Sequence, residues 1–313
     1  MANLKNRDLI SMRDLSAEEI GYILVMATKL KALQKSGQPH ALLPGKSLAM
    51  IFQKPSTRTR VSFELTMFQL GGHALYLNAG DIQLGRGETV ADTARVLSRY
   101  VNAIMIRTFK QSDVEELAQY ASVPVINGLT DLEHPCQILA DLLTIKERKH
   151  RLAGLKLAWV GDGNNVSHSL MLACARLGMN ITLAVPEGYD PDPDIVGAAQ
   201  EYAAGTGASV VLTRDPAVAV NRADVVVTDT WASMGQEGEH AERIKVFEAY
   251  QVNKTLVSLA NKDYIFMHCL PAHRGEEVVD EIMDGPHSVV WDEAENRLHV
   301  QKALVALFLG ANV

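Results

Sequence analysis

The sequence has little cysteine, few aromatic residues and no long apolar run. Its 313 residues include only Cys136, Cys174 and Cys269, without a C-x-x-C pair, and 6% aromatic residues. Sparse, odd-numbered cysteine is typical of a reducing cytosol and argues against a disulfide scaffold. The chain begins without an apolar leader, and no apolar run is long enough to cross a bilayer. We therefore expect a cytoplasmic protein that does not contact a membrane.

The sequence also lacks an excess of positive charge. It has 30 Lys and Arg against 37 Asp and Glu, a net charge of −7. A general nucleic-acid binder would need a basic surface, so this class is not expected. In a chain with a net negative charge, a local cluster of arginines indicates a binding site for one small anion. The composition, 47% hydrophobic over 313 residues, is sufficient for two cores.

Short apolar runs rich in β-branched residues alternate with amphipathic stretches. SLAMIF, HALYL, NAIMI and VPVIN predict strands in the first half, and LKLAWVG, NITLAV, ASVVLT, ADVVVTD and YIFMHCL predict strands in the second half. A first helix is expected after Ser16, with Glu19 completing a capping box and Gly37 ending it. This alternation predicts two α/β domains, each a doubly wound parallel sheet, with the active site in a cleft between them.

A charged segment, DLLTIKERKHRLAGLK at 141–156, separates the two halves and is expected to hold few core positions. It places the domain limits at 1–150 and 151–292. The final helix, about 293–313, is apolar at helical spacing and is expected to pack back on the first domain.

Polar residues of the types that are costly to bury follow several predicted strands. Ligands of open parallel sheets bind outside the carboxyl ends of strands, so these residues predict one shared site. They are STRTR at 56–60, Arg107, His134 to Gln137, Asn164 and Asn165, Asp229, and His268 with Cys269.

The stretch IFQKPSTRTRVSFE joins a predicted strand to a predicted helix. Ser56 or Thr57 can cap a helix start, whose free N–H groups and partial positive charge favour an anion. Arg58 adds a planar fork of donors that matches two phosphate oxygens. The motif therefore predicts a phosphate site without P-loop glycines. A capped helix with solvated arginines is the alternative.

Two further motifs have more than one interpretation. His134 precedes Pro135, which can begin a helix, so its ring can serve a ligand or a structural hydrogen bond equally. Gly161 and Gly163 match part of the dinucleotide fingerprint, but Val166 stands at its third glycine. With Glu187 as the ribose ligand, a nicotinamide-dependent oxidoreductase stays an alternative.

Cys269, between His268 and His273, raises the question of a nucleophile or a metal site. Sequence neighbours on an extended segment point to opposite sides, so the spacing does not support a Cys–His pair. The spacing also matches no standard zinc pattern, and no metal is expected. Cys136 is expected to be a packed small apolar residue.

These motifs resemble those of the aspartate/ornithine carbamoyltransferase family over nearly the whole chain. Residues 56–60 are similar to the first carbamoyl-phosphate motif of that family, and His134-Pro135-Cys136-Gln137 is similar to the second. Asp229 with Ser233-Met234-Gly235, and His268-Cys269-Leu270-Pro271, look like the ornithine branch. The resemblance implies transfer of a carbamoyl group from carbamoyl phosphate to the δ-amine of L-ornithine, without cofactor or metal.

The resemblance also implies a role for each motif position. The carbamoyl-phosphate ligands are Ser56, Thr57, Arg58 and Thr59 at the phosphate, Arg107, His134, Gln137, Leu270 and Arg297 at the carbamoyl end, and Gln83 from a neighbouring subunit. The ornithine ligands are Asn165, Asp229, Ser233, Met234 and Cys269. Arg107, His134 and Cys269 are the implied catalytic groups, and the implied assembly is a homotrimer or a multiple of trimers.

The implied chemistry is direct attack by the amine through a tetrahedral intermediate, with donors such as Arg107, His134 and Thr59 meeting the negative oxygen. Cys269 then binds and positions and does not form a covalent intermediate. The resemblance implies a role in arginine biosynthesis, but the sequence leaves open whether the cell makes or degrades citrulline. A non-catalytic binding protein on the same scaffold also stays an alternative.

Overall fold

The computed structural model describes residues 3–232 and 237–312. The chain divides into a first unit, Met1–Leu143 with Glu295–Val313, and a second unit, Thr144–Ala294. The limits predicted at residues 150 and 292 differ from these divisions, which fall inside two helices and not in the loops beside them. Among the described residues, no helix combines the length and apolar character of a membrane span.

A parallel sheet forms the centre of the first unit. Its strands are β1 (Ser47–Phe52), β2 (His73–Asn78), β3 (Ala103–Arg107) and β4 (Val125–Leu129). Their spatial order is β2-β1-β3-β4, so the chain leaves β1 toward one edge and returns on its other side at β3. Phe52 pairs with Arg107, which brings the carboxyl ends of β1 and β3 together at the point where ligands of such sheets bind.

Five α-helices precede the second sheet in the described part of the chain. The first begins after Ser16, whose Oγ accepts the N–H of Glu19 at 3.2 Å while Glu19 Oε2 accepts the N–H of Ser16 at 2.8 Å. The predicted capping box is therefore confirmed. The helices are α1 (Ala17–Lys35), α2 (Thr57–Gln69), α3 (Val90–Leu97), α4 (Gln111–Tyr120) and α5 (Pro135–Lys149).

The second unit contains a parallel sheet of five described strands in the order β7-β6-β5-β8-β9. These are β5 (Lys156–Val160), β6 (Asn180–Ala184), β7 (Val210–Thr213), β8 (Val225–Thr228) and β9 (Ile265–His268). The topology reverses at β5, so the loops after β5 and β8 flank a switch point. The predicted pair of parallel α/β sheets is confirmed. The helices are α6 (Asn165–Arg176), α7 (Pro193–Thr206), α8 (Pro216–Val220), α9 (His240–Phe247), α10 (Lys254–Val257) and α11 (Asp280–Met283).

The last helix, α12 (Val290–Phe308), ends within the first unit. Three of its polar side chains bond to that unit: Asn296 Oδ1 accepts from Lys31 Nζ at 2.8 Å, Arg297 Nη2 donates to Thr59 Oγ1 at 2.9 Å, and Lys302 Nζ donates to Gln34 Oε1 at 2.5 Å. These contacts hold α12 against α1 and α2 and bring Arg297 to the start of α2.

The charged segment at 141–156 contains more core positions than the sequence analysis predicted. Leu142, Leu143 and Ile145 are fully buried on α5, and Leu155 is buried before β5. The basic residues of α5 lie in its last turn, where cations complement the helix dipole. The prediction of few core positions was wrong because α5 is buried on all sides from Pro135 to Ile145, and only its charged end reaches the surface.

Candidate active site

The predicted phosphate motif forms the start of α2. Ser56 is the N-cap, and its Oγ accepts the N–H of Thr59 at 3.2 Å. Thr57 is exposed, Ser56 is half-buried and Thr59 is fully buried. The other N–H groups of the first turn and the partial positive charge of the helix start are suited to an anion.

The two arginines of this motif have different surroundings. The guanidinium of Arg60 lies over the Tyr76 ring, 3.8 Å from its centroid, and its Nε donates to Glu64 Oε1 at 2.9 Å. Arg58 is half-buried and close enough to His134 for its charge to lower the pKa of that imidazole. The helical turn thus directs Arg60 to a surface pair and Arg58 toward the other predicted site residues.

His134 is the centre of a buried cationic group. Its pKa is held well below the usual range, first by burial and then by the positive charges of Arg297, Arg107 and Arg58. His134, Arg107 and Arg297 are 4%, 7% and 3% exposed. His134 is therefore neutral at pH 7, and three guanidinium groups surround it. The structure brings together side chains from α2, β3, the start of α5 and α12.

The start of α5 follows the prediction for His134-Pro135-Cys136-Gln137. The helix begins at Pro135, and Gln137 is buried with its Nε2 donating to Asp141 Oδ1 at 2.9 Å. Cys136 is fully buried, and burial raises the pKa of its thiol to about 12. The prediction that Cys136 is a packed apolar residue is confirmed.

Lys54 was missed by the sequence analysis. It lies two residues after the end of β1 and is 5% exposed. It forms an ion pair with Asp131, and its Nζ lies 4.4 Å from the centroid of the Phe109 ring. Phe109 and Asp131 follow β3 and β4, so this lysine links three loops at one edge of the sheet. A lysine between a buried strand and the phosphate motif was the signal that could have identified it.

In the second unit, Asp229 directly follows β8 and is 7% exposed. Its Oδ1 accepts the N–H of Thr230 at 2.8 Å and the thiol of Cys269 at 3.1 Å, and its Oδ2 accepts Asn164 Nδ2 at 2.8 Å. These donors fix a carboxylate at the switch point of the sheet. Such a carboxylate can accept an ammonium group.

Asn164 also caps α6, since its Oδ1 accepts the N–H groups of Val166 and Ser167 at 3.0 and 3.2 Å. Asn165, the predicted ligand, is the first residue of this helix and is half-buried. The helix start therefore lies beside Asp229, and its partial positive charge suits a carboxylate of a ligand.

The segment after β9 positions Cys269 and Leu270. His268 Nε2 is 3.0 Å from Glu277 Oε1, and the N–H of Leu270 donates to His268 Nδ1 at 2.9 Å. Leu270 has φ +62 and precedes Pro271 through a cis peptide bond. The thiol of Cys269 donates to Asp229 Oδ1 at 3.1 Å, which places this cysteine beside the carboxylate at the end of β8.

The sequence analysis also missed a buried ion pair beside Asp229. Arg243, on α9, donates from Nη1 to Asp162 Oδ2 and to the Trp231 carbonyl, both at 2.8 Å. Burial raises the pKa of Asp162 above its usual value, and the negative charge of Asp229 adds to the shift, whereas Arg243 opposes it. Asp162 follows β5, so the strand-end rule could have identified it.

The glycines of the partial dinucleotide motif have a local explanation. A Cβ on Gly163 would lie 2.3 Å from Pro191 N, so the chain's own loop packs against this position. Gly161 has φ +141, which favours glycine. Glu187 is exposed. These glycines serve the fold of the second unit and do not support the nucleotide interpretation.

Two groups of predicted residues remain. Gln83 is exposed and begins a short 3-10 helix, Gln83–Arg86, between β2 and α3. Ser233 and Met234 lie outside the described residues. The positions of these three residues as ligands stay predictions.

The fold and the candidate site are typical of a two-domain α/β enzyme that acts on small polar substrates. The features that indicate this class are the two parallel sheets, a helix start with arginines that suits an anion, and a buried carboxylate. Family models match both parts of the chain. Residues 7–147 match the carbamoyl-phosphate-binding domain and residues 153–308 match the Asp/Orn-binding domain of the aspartate/ornithine carbamoyltransferases. The chain belongs to this family. The second match extends through α12, although residues 295–313 pack within the first unit.

Named relatives are similar over almost the full length. An ornithine carbamoyltransferase of Pyrococcus abyssi is 63% identical over 99% of this chain and 98% of its own length. The solved ornithine carbamoyltransferase of Pyrococcus furiosus has 61% identity and a TM-score of 0.96, with 99% of each chain covered. The anabolic ornithine carbamoyltransferase of Campylobacter jejuni has 44% identity and a TM-score of 0.91, covering 96% of this chain and 98% of that one.

Proposed function

We propose that this protein transfers the carbamoyl group of carbamoyl phosphate to the δ-amine of L-ornithine, giving L-citrulline and phosphate. Family membership and the names of relatives about 60% identical support this function. The structural observation that carries it is the neutral His134 among three arginines, beside the start of α2. That arrangement suits a small, doubly charged acyl phosphate with a polar carbonyl.

The phosphate is proposed to bind at the start of α2. The proposed donors are the backbone N–H groups of Thr57 and Arg58, the hydroxyls of Ser56, Thr57 and Thr59, and the Arg58 guanidinium. An anion at a helix N-terminus gains from the helix dipole, and a bidentate arginine adds geometric specificity.

The carbamoyl end is proposed to bind Arg107, His134 and Gln137, with Arg297 supporting the site through Thr59. During attack, negative charge develops on the carbamoyl oxygen. A neutral His134 can donate one hydrogen bond from its ring N–H to that oxygen. Arg107 supplies positive charge beside it. One such donor is typically worth roughly a hundred- to a thousandfold in rate.

Ornithine is proposed to bind the second unit through its α-carbon groups. The carboxylate of Asp229 would accept the α-ammonium, and Asn165 at the start of α6 would donate to the α-carboxylate. Ser233 and the backbone of Met234 are further proposed ligands. The three donors already bonded to Asp229 hold its carboxylate in place for an ammonium group.

The reaction needs no covalent enzyme intermediate. The lone pair of the δ-amine forms the new C–N bond, the tetrahedral intermediate collapses, and the C–O bond to phosphate breaks with its electrons leaving on phosphate. The amine proton leaves with phosphate or solvent. The thiol of Cys269 donates to Asp229, which is the behaviour of a protonated, positioning group. The Leu270 carbonyl is proposed to accept from the amine or carbamoyl N–H groups.

The test is citrulline formation from ornithine and carbamoyl phosphate, compared with aspartate, putrescine and acetylornithine as acceptors. Of these four acceptors, only ornithine is expected to be carbamoylated. Binding of both ligands without turnover would support a non-catalytic protein on this scaffold. Saturable binding of reduced nicotinamide, followed by fluorescence, would instead favour the oxidoreductase alternative.

The assembly is proposed to be a homotrimer or a multiple of trimers in which Gln83 reaches the carbamoyl phosphate of the next subunit. Its exposure on a turn between β2 and α3 supports such a reach. Gln83→Ala and Arg107→Ala subunits should each be poor alone and complement when co-refolded. In random equal mixtures of head-to-tail rings, about a quarter of sites are intact. Equal activity in mixture and controls, with hybrid trimers present, would contradict the reach of Gln83.

The cellular direction is proposed to be citrulline formation for arginine biosynthesis, because the Pyrococcus furiosus relative, 61% identical, carries the name anabolic. Poor phosphorolysis of citrulline relative to its synthesis would support this direction. Location in the cytoplasm stays a prediction, and fractionation of the source cells tests it.

A further inference from the structure

Two histidines and a glutamate form a second polar group in the second unit. His240 is the first residue of α9, and His273 and Glu276 lie in the loop that follows β9. One ligand atom from each residue lies within 4.8 Å of the other two. The side chains are 40%, 42% and 27% exposed, so an ion could reach them from solvent. No role in the proposed carbamoyl transfer falls on these residues.

The separations fit coordination by one ion. His240 Nε2 is 3.1 Å and His273 Nδ1 is 3.8 Å from Glu276 Oε2. A tetrahedral zinc ion bonds nitrogen and oxygen at roughly 2.0–2.2 Å, which places its ligand atoms about 3.3–3.5 Å apart. Small side-chain rotations would therefore bring these three atoms onto one ion.

One of the three ligand atoms, Nδ1 of His273, lacks a hydrogen bond within the described part of the chain. Although the His273 ring is partly exposed, its Nδ1 is buried and has no hydrogen-bond partner among the described residues. The nearest acidic atoms are Glu276 Oε2 at 3.8 Å and Glu277 Oε2 at 4.0 Å, both too far for a hydrogen bond. Leaving a buried polar atom without a partner costs roughly 1–3 kcal/mol, and a bound cation would remove that cost.

The loop that carries two of the ligands is held in place by the protein. The N–H of His273 donates to Glu277 Oε1 at 2.6 Å, and the N–H of Glu276 donates to the His273 carbonyl at 3.0 Å. Gln251 Nε2 donates to the carbonyls of Gly275 and Glu276, both at 2.9 Å. Such supporting hydrogen bonds orient metal ligands before the ion binds.

We propose that His240, His273 and Glu276 bind a divalent transition-metal ion, for which Zn²⁺ is the probe. Two imidazoles with one carboxylate suit zinc and its neighbours, whereas Mg²⁺ and Ca²⁺ prefer oxygen ligands. Three protein ligands leave the fourth position of a tetrahedral ion for water. The site would connect α9 to the segment after β9.

The experiment must separate this site from a second group of possible ligands. Among the described residues, Asp229, His268 and Cys269 also offer ligand atoms within 4.8 Å of one another. Zinc binding is therefore measured in a Cys269→Ala background, which removes the thiol. Cys136 and Cys174 are fully buried and do not compete.

Isothermal titration with ZnCl₂ and equilibrium dialysis give the affinity and the number of bound ions. Cys269→Ala should bind one Zn²⁺ per chain and bind Mg²⁺ far more weakly. Adding His240→Ala, His273→Ala or Glu276→Gln should each weaken zinc binding at least about tenfold, since even a supporting residue typically contributes that much. Adding His150→Asn, an exposed histidine elsewhere in the unit, should change nothing.

Circular dichroism and thermal unfolding check that each variant is folded, and His240→Gln provides a milder change if His240→Ala is unstable. Zinc affinity unchanged by all three ligand substitutions would overturn the site and leave the group as ordinary histidine–carboxylate pairs. Loss of binding on Cys269→Ala alone would overturn it as well, assigning the ion to the Asp229 group.

Discussion

Asp229→Asn isolates the charge of the residue proposed to hold the α-ammonium of ornithine. The substitution keeps an oxygen at Oδ1 for the N–H of Thr230 and the thiol of Cys269. It removes the negative charge. A hydrogen bond to a charged group contributes roughly 1.5–3 kcal/mol, and each 1.4 kcal/mol is tenfold. The KM for ornithine should therefore rise about 10- to 150-fold, with the KM for carbamoyl phosphate nearly unchanged.

The same substitution should also lower the stability of the second unit. The new amide would place its NH₂ against Asn164 Nδ2, which now donates to Asp229 Oδ2. Asn164 cannot rotate its amide without withdrawing Oδ1 from the N–H groups of Val166 and Ser167. One donor is left unsatisfied, so unfolding free energy should fall by roughly 1–3 kcal/mol. Urea unfolding measures this loss separately from kinetics.

Analogues identify which end of ornithine Asp229 contacts. Norvaline lacks the δ-amine, and its inhibition constant should rise in parallel with the KM for ornithine. Asp215→Asn is the matched control, because Asp215 caps α8 and Asn caps equally well. An unchanged norvaline constant together with a raised ornithine KM would mean that Asp229 contacts the δ-amine, and the α-ammonium assignment would be wrong.

Three further substitutions test the remaining assignments. Arg58→Ala should lower kcat/KM for carbamoyl phosphate roughly a hundred- to a thousandfold, and Arg58→Lys should not restore it. Arg60→Ala, which loses only a surface pair, is the control. Near-normal affinity for carbamoyl phosphate in Arg58→Ala would refute the phosphate site. Cys269→Ser should retain measurable turnover, and mass spectrometry after carbamoyl phosphate alone should show no adduct on Cys269. Burial lowers the pKa of Lys302 from 10.5 to about 8. Between these two pH values Lys302 is protonated in the unfolded chain but mostly neutral in the folded chain, so the free energy of unfolding rises with pH across that window. Relative to Lys302→Met, wild-type unfolding free energy should therefore gain on the order of 3 kcal/mol over that window, and a constant difference would contradict the shifted pKa.

The strands could be predicted from sequence because each is a short apolar run bounded by polar residues. β1 coincides with SLAMIF, and β8 with the centre of ADVVVTD. The helix start at Ser16 followed from a capping box that needs only four neighbouring residues. The limits of the two units could not be predicted in this way. They depend on which partners α5 and α12 contact, and those partners are distant in sequence.

The strand-end rule predicted Arg107, Asp229 and Cys269 because the topology alone brings such positions to one edge of a sheet. It did not identify Arg243, which comes from α9 and is separated by 81 residues from its partner Asp162. Nothing in the sequence near Arg243 distinguishes it from an exposed helical arginine. Its role depends on the buried carboxylate that it meets only in the folded chain.

His134 and His268 show why residue type and position are insufficient to assign a role. Both follow or end buried strands, and both are buried, at 4% and 0% exposure. His268 bonds to Glu277 and to the N–H of Leu270, so both ring nitrogens are used in holding the segment after β9. His134 instead has a lowered pKa, first because it is buried and then because three arginines lie near it. A neutral imidazole near several cations cannot form a structural ion pair. Its ring N–H can instead donate a hydrogen bond to a carbonyl oxygen that becomes negative during the reaction. The difference lies in the partners, and only the fold supplies them.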